Sequence, residues 1–175
     1  MSAGTAGMGA LAAAALIGGM WAPPVAQADP NDGVAINGTY TAFSDGQWAQ
    51  TNQSYHDEAD VTQSWTITST CSTYQDCTGR VTSDQGWSAD LIYLSGRWKV
   101  AHTVPHWEPC ADGTAAAGEQ AFTFWKGRPD PHLIGWDQTI GPSGACGINK
   151  WLNVTMPFSL TPAGDGQPGT GPIRS

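Results

Sequence analysis

The chain has 175 residues, with 7 Lys+Arg against 15 Asp+Glu and a formal net charge of −8. A surface this acidic repels phosphate backbones and anionic headgroups, which argues against nucleic acid and membrane surfaces as partners. The length allows one ordinary domain with a single core, and the charge serves its solubility.

Residues 8–20 form an apolar run of Ala, Leu, Ile and Gly, too short to cross a bilayer as a helix. Trp21, Ala22, Pro23 and Pro24 break it, and Ala26-Gln27-Ala28 then gives the small-residue pattern a signal peptidase accepts. The expected leader is therefore residues 1–28, cleaved between Ala28 and Asp29; the bland alternative is an Ala/Gly-rich tail. No Lys or Arg precedes Arg80, so either the α-amino group serves alone or the start codon lies upstream. No Cys follows the run to carry a lipid anchor, and no later run is long enough to span a membrane. Cleavage after residue 28 leaves 147 of the 175 residues and every Lys, Arg, Asp and Glu. These divide into an expected domain at 29–162 and a disordered tail at 163–175, rich in Pro and Gly.

The body carries turn signals at short intervals: Asn37-Gly38, Ser44-Asp45-Gly46, Thr78-Gly79, Gln85-Gly86, Ser95-Gly96 and Asp112-Gly113. Residues 61–69 alternate with period two, placing Val61, Gln63, Trp65, Ile67 and Ser69 on one face and Thr62, Ser64, Thr66 and Thr68 on the other, which predicts a half-buried strand. Strands at 90–94 and 97–103 flank Ser95-Gly96 as a two-residue hairpin. Further strands are predicted at 120–125 and 151–160, with Pro157 at a bulge or an edge. Ala115, Ala116 and Ala117 lie between Gly113 and Gly118 and read as loop. No segment after Asp29 sustains helical spacing. The fold class expected is all-β, an antiparallel barrel or strongly coiled sandwich of about seven to nine strands.

Four cysteines follow the leader: Cys71, Cys77, Cys110 and Cys146. An even number in an exported chain argues for two disulfides, with three connectivities open. Cys71 and Cys77 bracket a polar turn and would close a small loop, leaving Cys110 and Cys146 to pair across a longer excursion. On the chain-entropy model such bridges contribute roughly 2 and 4 kcal/mol. Zinc would need close Cys-x-x-Cys pairs, which are absent.

No catalytic residue, cofactor motif or metal site stands out. Eight tryptophans lie beyond the leader. Large aromatics filling a small β-core is the favoured reading, with Trp87 and Trp107, beside loops, partly exposed. The cluster Tyr55, His56, Asp57, Glu58, Ala59, Asp60 lacks EF-hand spacing and reads as a solvated acidic loop. His102 and His106 flank Val104-Pro105, where Pro105 prevents the helix that would bring them together. Gly141-Pro142-Ser143-Gly144 is a tight turn beside a cysteine and not a nucleophile elbow.

Taken together these residues resemble a small exported cystine-containing β-domain that recurs in secreted mycobacterial and actinobacterial proteins of unknown function. The extracytoplasmic domain of some mycobacterial serine/threonine kinases is similar. The resemblance runs over Gly38-Thr39-Tyr40, Trp65-Thr66-Ile67-Thr68-Ser69, Cys71, Cys77-Thr78-Gly79, Leu94-Ser95-Gly96-Arg97-Trp98, Cys110, Asp112-Gly113, Cys146-Gly147 and Pro157. It departs at Ser95, where Asp often precedes the Gly, and in lacking a Thr-Arg pair after the last strand. It implies the pairs Cys71–Cys77 and Cys110–Cys146 and a β-rich fold, and no activity.

The function expected is a secreted, monomeric binding or interaction module of the envelope or medium, facing an unknown protein or a small apolar ligand. Trp87, His106 and Trp107 are its candidate contact surface. The alternatives are an apolar-ligand carrier with an aromatic-lined pocket and, less favoured, a hydrolase using His56, His102 or His106 with Asp57 or Glu108. Intact-mass measurement of the secreted protein should give a chain starting at Asp29 and four hydrogens lighter than its reduced form. An uncut or fully reduced mass would overturn the leader or the cystines respectively.

Overall fold

The computed structural model describes residues 33–127 and 132–164. The expected leader, 1–28, and residues 165–175 of the expected tail lie outside the described residues. Ala163, the first residue of that tail, donates its N–H to the Thr39 carbonyl at 2.9 Å.

Ten strands follow one another: β1 (Gly38–Ser44), β2 (Gln50–Thr51), β3 (Ser54–Tyr55), β4 (Val61–Thr73), β5 (Asp76–Ser83), β6 (Ser88–Leu94), β7 (Arg97–Pro109), β8 (Ala115–Lys126), β9 (Leu133–Ile140) and β10 (Asn153–Pro162). Strands β1 and β4 to β10 hydrogen-bond in that order, all antiparallel, and β10 pairs back onto β1. The result is a closed eight-stranded barrel, a size whose interior side chains just fill. The short β2–β3 hairpin extends the wall from Val154 and Thr155 of β10. Only two 3-10 turns, Gly46–Trp48 and Ala145–Gly147, interrupt the strands among the described residues, and none of these residues forms a helix long and apolar enough to cross a membrane.

Local chemistry explains the wall. Strand β4 buries Gln63, Trp65 and Ile67 and exposes Thr62, Ser64, Thr66 and Thr68, the alternation its sequence carries. Ser95 and Gly96 both have positive φ, 53° and 80°, and join Leu94 to its partner Arg97, as a type I′ hairpin requires. Pro157 occupies no bulge: it is in uninterrupted register with Trp136 of β9. On its other side, β10 pairs β1 only from Phe158 onward and β2 only at Val154 and Thr155. Pro157 lies in that gap, a local edge, and its carbonyl accepts from Asp45 N–H at 2.9 Å. Ala115, Ala116 and Ala117, expected as loop, instead begin β8, with Ala115 opposite Pro109 and Ala116 opposite Glu108. The β7–β8 ladder outweighs the weak strand preference of alanine.

Both cystines form as the family resemblance implies. Cys71 faces Cys77 across the β4–β5 ladder, next to the hairpin tip closed by Thr73 and Asp76. Cys110 joins Cys146, tying the β7–β8 connection to the β9–β10 connection.

The barrel interior is packed around Trp65, which is 0% exposed. Its ring lies 4.8 Å from Phe122 and 5.3 Å from Phe158, with the near-perpendicular contact to Phe122 that aromatic quadrupoles favour. Ile67, Leu91, Trp98, Phe124 and Leu160 fill the interior toward the Cys71–Cys77 end. The expectation that the core takes most tryptophans is met by Trp65 and Trp98 alone. Trp87, Trp107 and Trp125 are partly buried, and Trp48 (67%), Trp136 (48%) and Trp151 (51%) are exposed. Strand β9 shows why: Gly135, Asp137 and Thr139 point inward, which turns Trp136 out.

Truncating Trp65 to Ala removes the shared partner of these rings and should cost about 3–5 kcal/mol. Urea unfolding of Trp65→Ala measures this, and an unchanged midpoint would show that the barrel does not depend on that ring.

Candidate functional site

Along the barrel the interior changes character. Toward the end opposite the Cys71–Cys77 hairpin the inner face becomes polar: Ser44 on β1, Gln63 on β4, Ser83 on β5, His102 on β7, Gln120 on β8, and Asp137 and Thr139 on β9. Most of these groups are satisfied within the barrel. Gln63 Oε1 accepts from Trp65 Nε1 at 2.9 Å and from Ser83 Oγ at 2.8 Å. Asp137, 2% exposed, accepts from Ser44 Oγ at 2.8 Å and from Gln120 Nε2 at 2.8 and 3.0 Å. Burial pushes the Asp137 carboxyl up to about 6, against the opposing effect of these hydrogen bonds.

Two tryptophans cover this mouth. The β6–β7 ladder runs only from Leu91–Val100 to Leu94–Arg97, so the strands part toward the mouth. Trp87 stacks there on His102, with centroids 4.0 Å apart at 13°, and meets Trp65 edge-on at 5.4 Å. His102 Nδ1 lies 3.2 Å from the Thr103 carbonyl. Since a carbonyl only accepts, that contact is a hydrogen bond when Nδ1 carries the proton. Burial lowers the His102 pKa, outweighing the Thr103 carbonyl, Gln120 and Glu119, which favour the charged ring.

Trp107 owes its position to a bulge. Between the pairs Val104–Gly118 and Glu108–Ala116, three residues of β7 face one of β8, and His106 takes a positive φ of 57°. Such an insertion re-aims side chains. The indole lies over Gly118, where a Cβ would sit 2.7 Å from Trp107 Cε3 and 2.9 Å from Thr139 Cγ2. Glu108 falls on the inner side, against Gly141, whose Cβ would collide with Glu108 Oε2 and lie 3.2 Å from the Trp107 ring. Glycine at 118 and 141 is thus what lets these side chains seat. Glu108 Oε2 and His102 Nε2 are buried without a hydrogen-bond partner.

The structure places Trp87 and Trp107 at the same mouth, with His106 on the bulge between Val104 and Glu108 but exposed. It does not bring the histidines together: His56 Nδ1 is 3.0 Å from Glu58 Oε1 in the exposed acidic loop, away from the barrel interior. Ser143 Oγ contacts Asn149 Oδ1 at 3.3 Å within the turn beside Cys146. No group of three or more His, Cys, Asp or Glu among the described residues is arranged to hold a metal. A separate concavity of about 790 Å³ lies on the outer wall over the parting of β6 and β7, and its Arg80 and Asp90 pair at 2.8 Å. Asp137, Gln120 and Ser44 were not among the residues expected at the site; the only trace of them is the polar pair Asp137 and Thr139 at alternate positions of β9.

No family model matches the chain, and no curated protein matches it. Among solved structures it is similar to one described as the monomer form of the M. tuberculosis PknI sensor domain. Identity is 18%, over 75% of this chain and 90% of that chain, with a TM-score of 0.56. At that identity the likeness shows the fold, and at the level of the fold the expected resemblance to a mycobacterial kinase domain holds.

Asp137 gives the site a signature in solution. Its pKa is raised on folding, so the native state holds the proton more tightly, and stability falls as pH rises from about 4 toward 6. The loss is on the order of 3 kcal/mol. Asp137→Asn should therefore be more stable relative to the parent at pH 7 than at pH 4 in denaturant unfolding. Parallel stability curves for the two proteins would refute the buried, proton-retaining carboxyl.

Proposed function

We propose that this chain is an exported binding or sensing module of the envelope or surrounding medium, cleaved after Ala28 and acting as a monomer. It engages its ligand or protein partner at the barrel mouth, with Trp87, Trp107 and the exposed His106 as contact residues. The observation that carries the reading is the mouth itself: two partly buried indoles over a polar floor with unpartnered acceptors. Groups of this kind are costly to leave unmatched in a fold that serves only itself.

Two further facts support it. The cystines suit an oxidising compartment outside the cytoplasm, and the similar solved structure is described as a sensor domain. An apolar-ligand carrier is less favoured, because Trp65, Phe122, Phe124 and Phe158 already meet at ring distances of 4.8 to 6.4 Å. A guest would have to displace them.

The test is hydrogen–deuterium exchange on the secreted protein, alone and in concentrated medium from its own culture. Protection should concentrate at residues 84–87, 104–109 and 141–152. Protection confined to the outer wall of β5 and β6, or none at all, would overturn the assignment to the mouth.

A further inference from the structure

A carboxylate oxygen at the mouth is buried without a partner, and this narrows what the mouth takes. The donors deepest in this end are committed: Ser44 Oγ and Gln120 Nε2 to Asp137, Trp65 Nε1 and Ser83 Oγ to Gln63. The buried carboxylate oxygen Glu108 Oε2 remains without a partner. Two carboxylates, Asp137 and Glu108, belong to this end. Among the described residues the ion pairs are His56–Glu58 and Arg80–Asp90, so neither carboxylate has a cationic partner. A buried carboxylate oxygen with no donor is costly, and a matching cation offsets the cost.

Resting on the mouth as the binding site, we propose that its ligand is a small organic ammonium ion. Its N–H or N–CH groups face Glu108 Oε2, and its carbon frame lies against the indoles of Trp87 and Trp107. Indole faces attract ammonium groups more strongly than other aromatic faces do, and the −8 net charge of the chain raises the local concentration of cations.

The experiment titrates the full secreted protein with putrescine, choline and phenethylamine at fixed ionic strength, with sodium acetate and glycerol as controls. Tryptophan fluorescence and backbone amide shifts are the readouts. At least one amine should give saturable quenching with shifts centred on residues 102–108, 118–120 and 139–141. Glu108→Gln should weaken that amine by about tenfold or more, the scale of converting a charge-assisted hydrogen bond to a neutral one. Because the shifts are read on the unmodified protein, the outcome does not depend on recovering the variant. Acetate or glycerol shifting the mouth while every amine leaves it unmoved would overturn the cationic ligand and keep the mouth as a site. Amine shifts falling elsewhere on the barrel, or saturable binding unaffected by Glu108→Gln, would also overturn it. Failure of the mouth reading is seen separately, in the exchange experiment, as protection away from the mouth.

Discussion

The contact of Trp65 with the rings around it is the constraint on which the rest of this barrel depends. An eight-stranded barrel has an interior that side chains just fill, and here much of that space is one indole and its neighbours Phe122, Phe124, Phe158 and Trp87. An indole carries one polar atom that must be satisfied when buried. Trp65 Nε1 finds Gln63 two residues earlier on its own inner face, and Gln63 in turn accepts from Ser83. Burying this tryptophan therefore brings polar groups into the barrel on one side of it. The apolar and polar halves of the interior meet at this ring.

That division is reinforced at both ends by covalent ties. Cys71–Cys77 holds the hairpin at the apolar end, where hydrophobic packing alone would suffice for most barrels. Cys110–Cys146 spans the connections beside the mouth, next to the bulge at His106 that interrupts the β7–β8 ladder. The second bridge ties the β7–β8 extension, three residues after Trp107, to the segment that follows β9.

How much of this was legible in the sequence depended on which face of each strand carried the apolar residues. Strand β4 alternates in the ordinary sense and was readable from 61 to 69, as was the Ser95-Gly96 hairpin, because local patterns determine them. Strand β9 runs the other way: Ile134 and Trp136 face out while Asp137 and Thr139 face in, so its pattern does not announce a strand or a site. Ala115 to Ala117 looked like loop because alanine and flanking glycines carry no strand signal, and the register comes entirely from β7. Trp87 and Trp107 were identifiable as aromatics near turns, but their convergence on one mouth depends on strand parting and a bulge, neither of which has a local signature.

The chemistry of the site has the same origin. Ser44 and Asp137 are 93 positions apart and meet only because β10 pairs back onto β1 beside β9. Gln120 reaches Asp137 across the β8–β9 ladder, and Glu108, beyond the bulge, comes to lie against Gly141 after the end of β9. Each of these residues is unremarkable in the chain, and none forms a motif with its neighbours. Barrel closure gives one end of the interior a buried carboxylate with shared donors, Asp137, and a buried carboxylate oxygen without a partner, Glu108 Oε2. The polar end of this barrel is set by topology and not by any local motif, which is why no catalytic or metal-binding spacing in the sequence announces it.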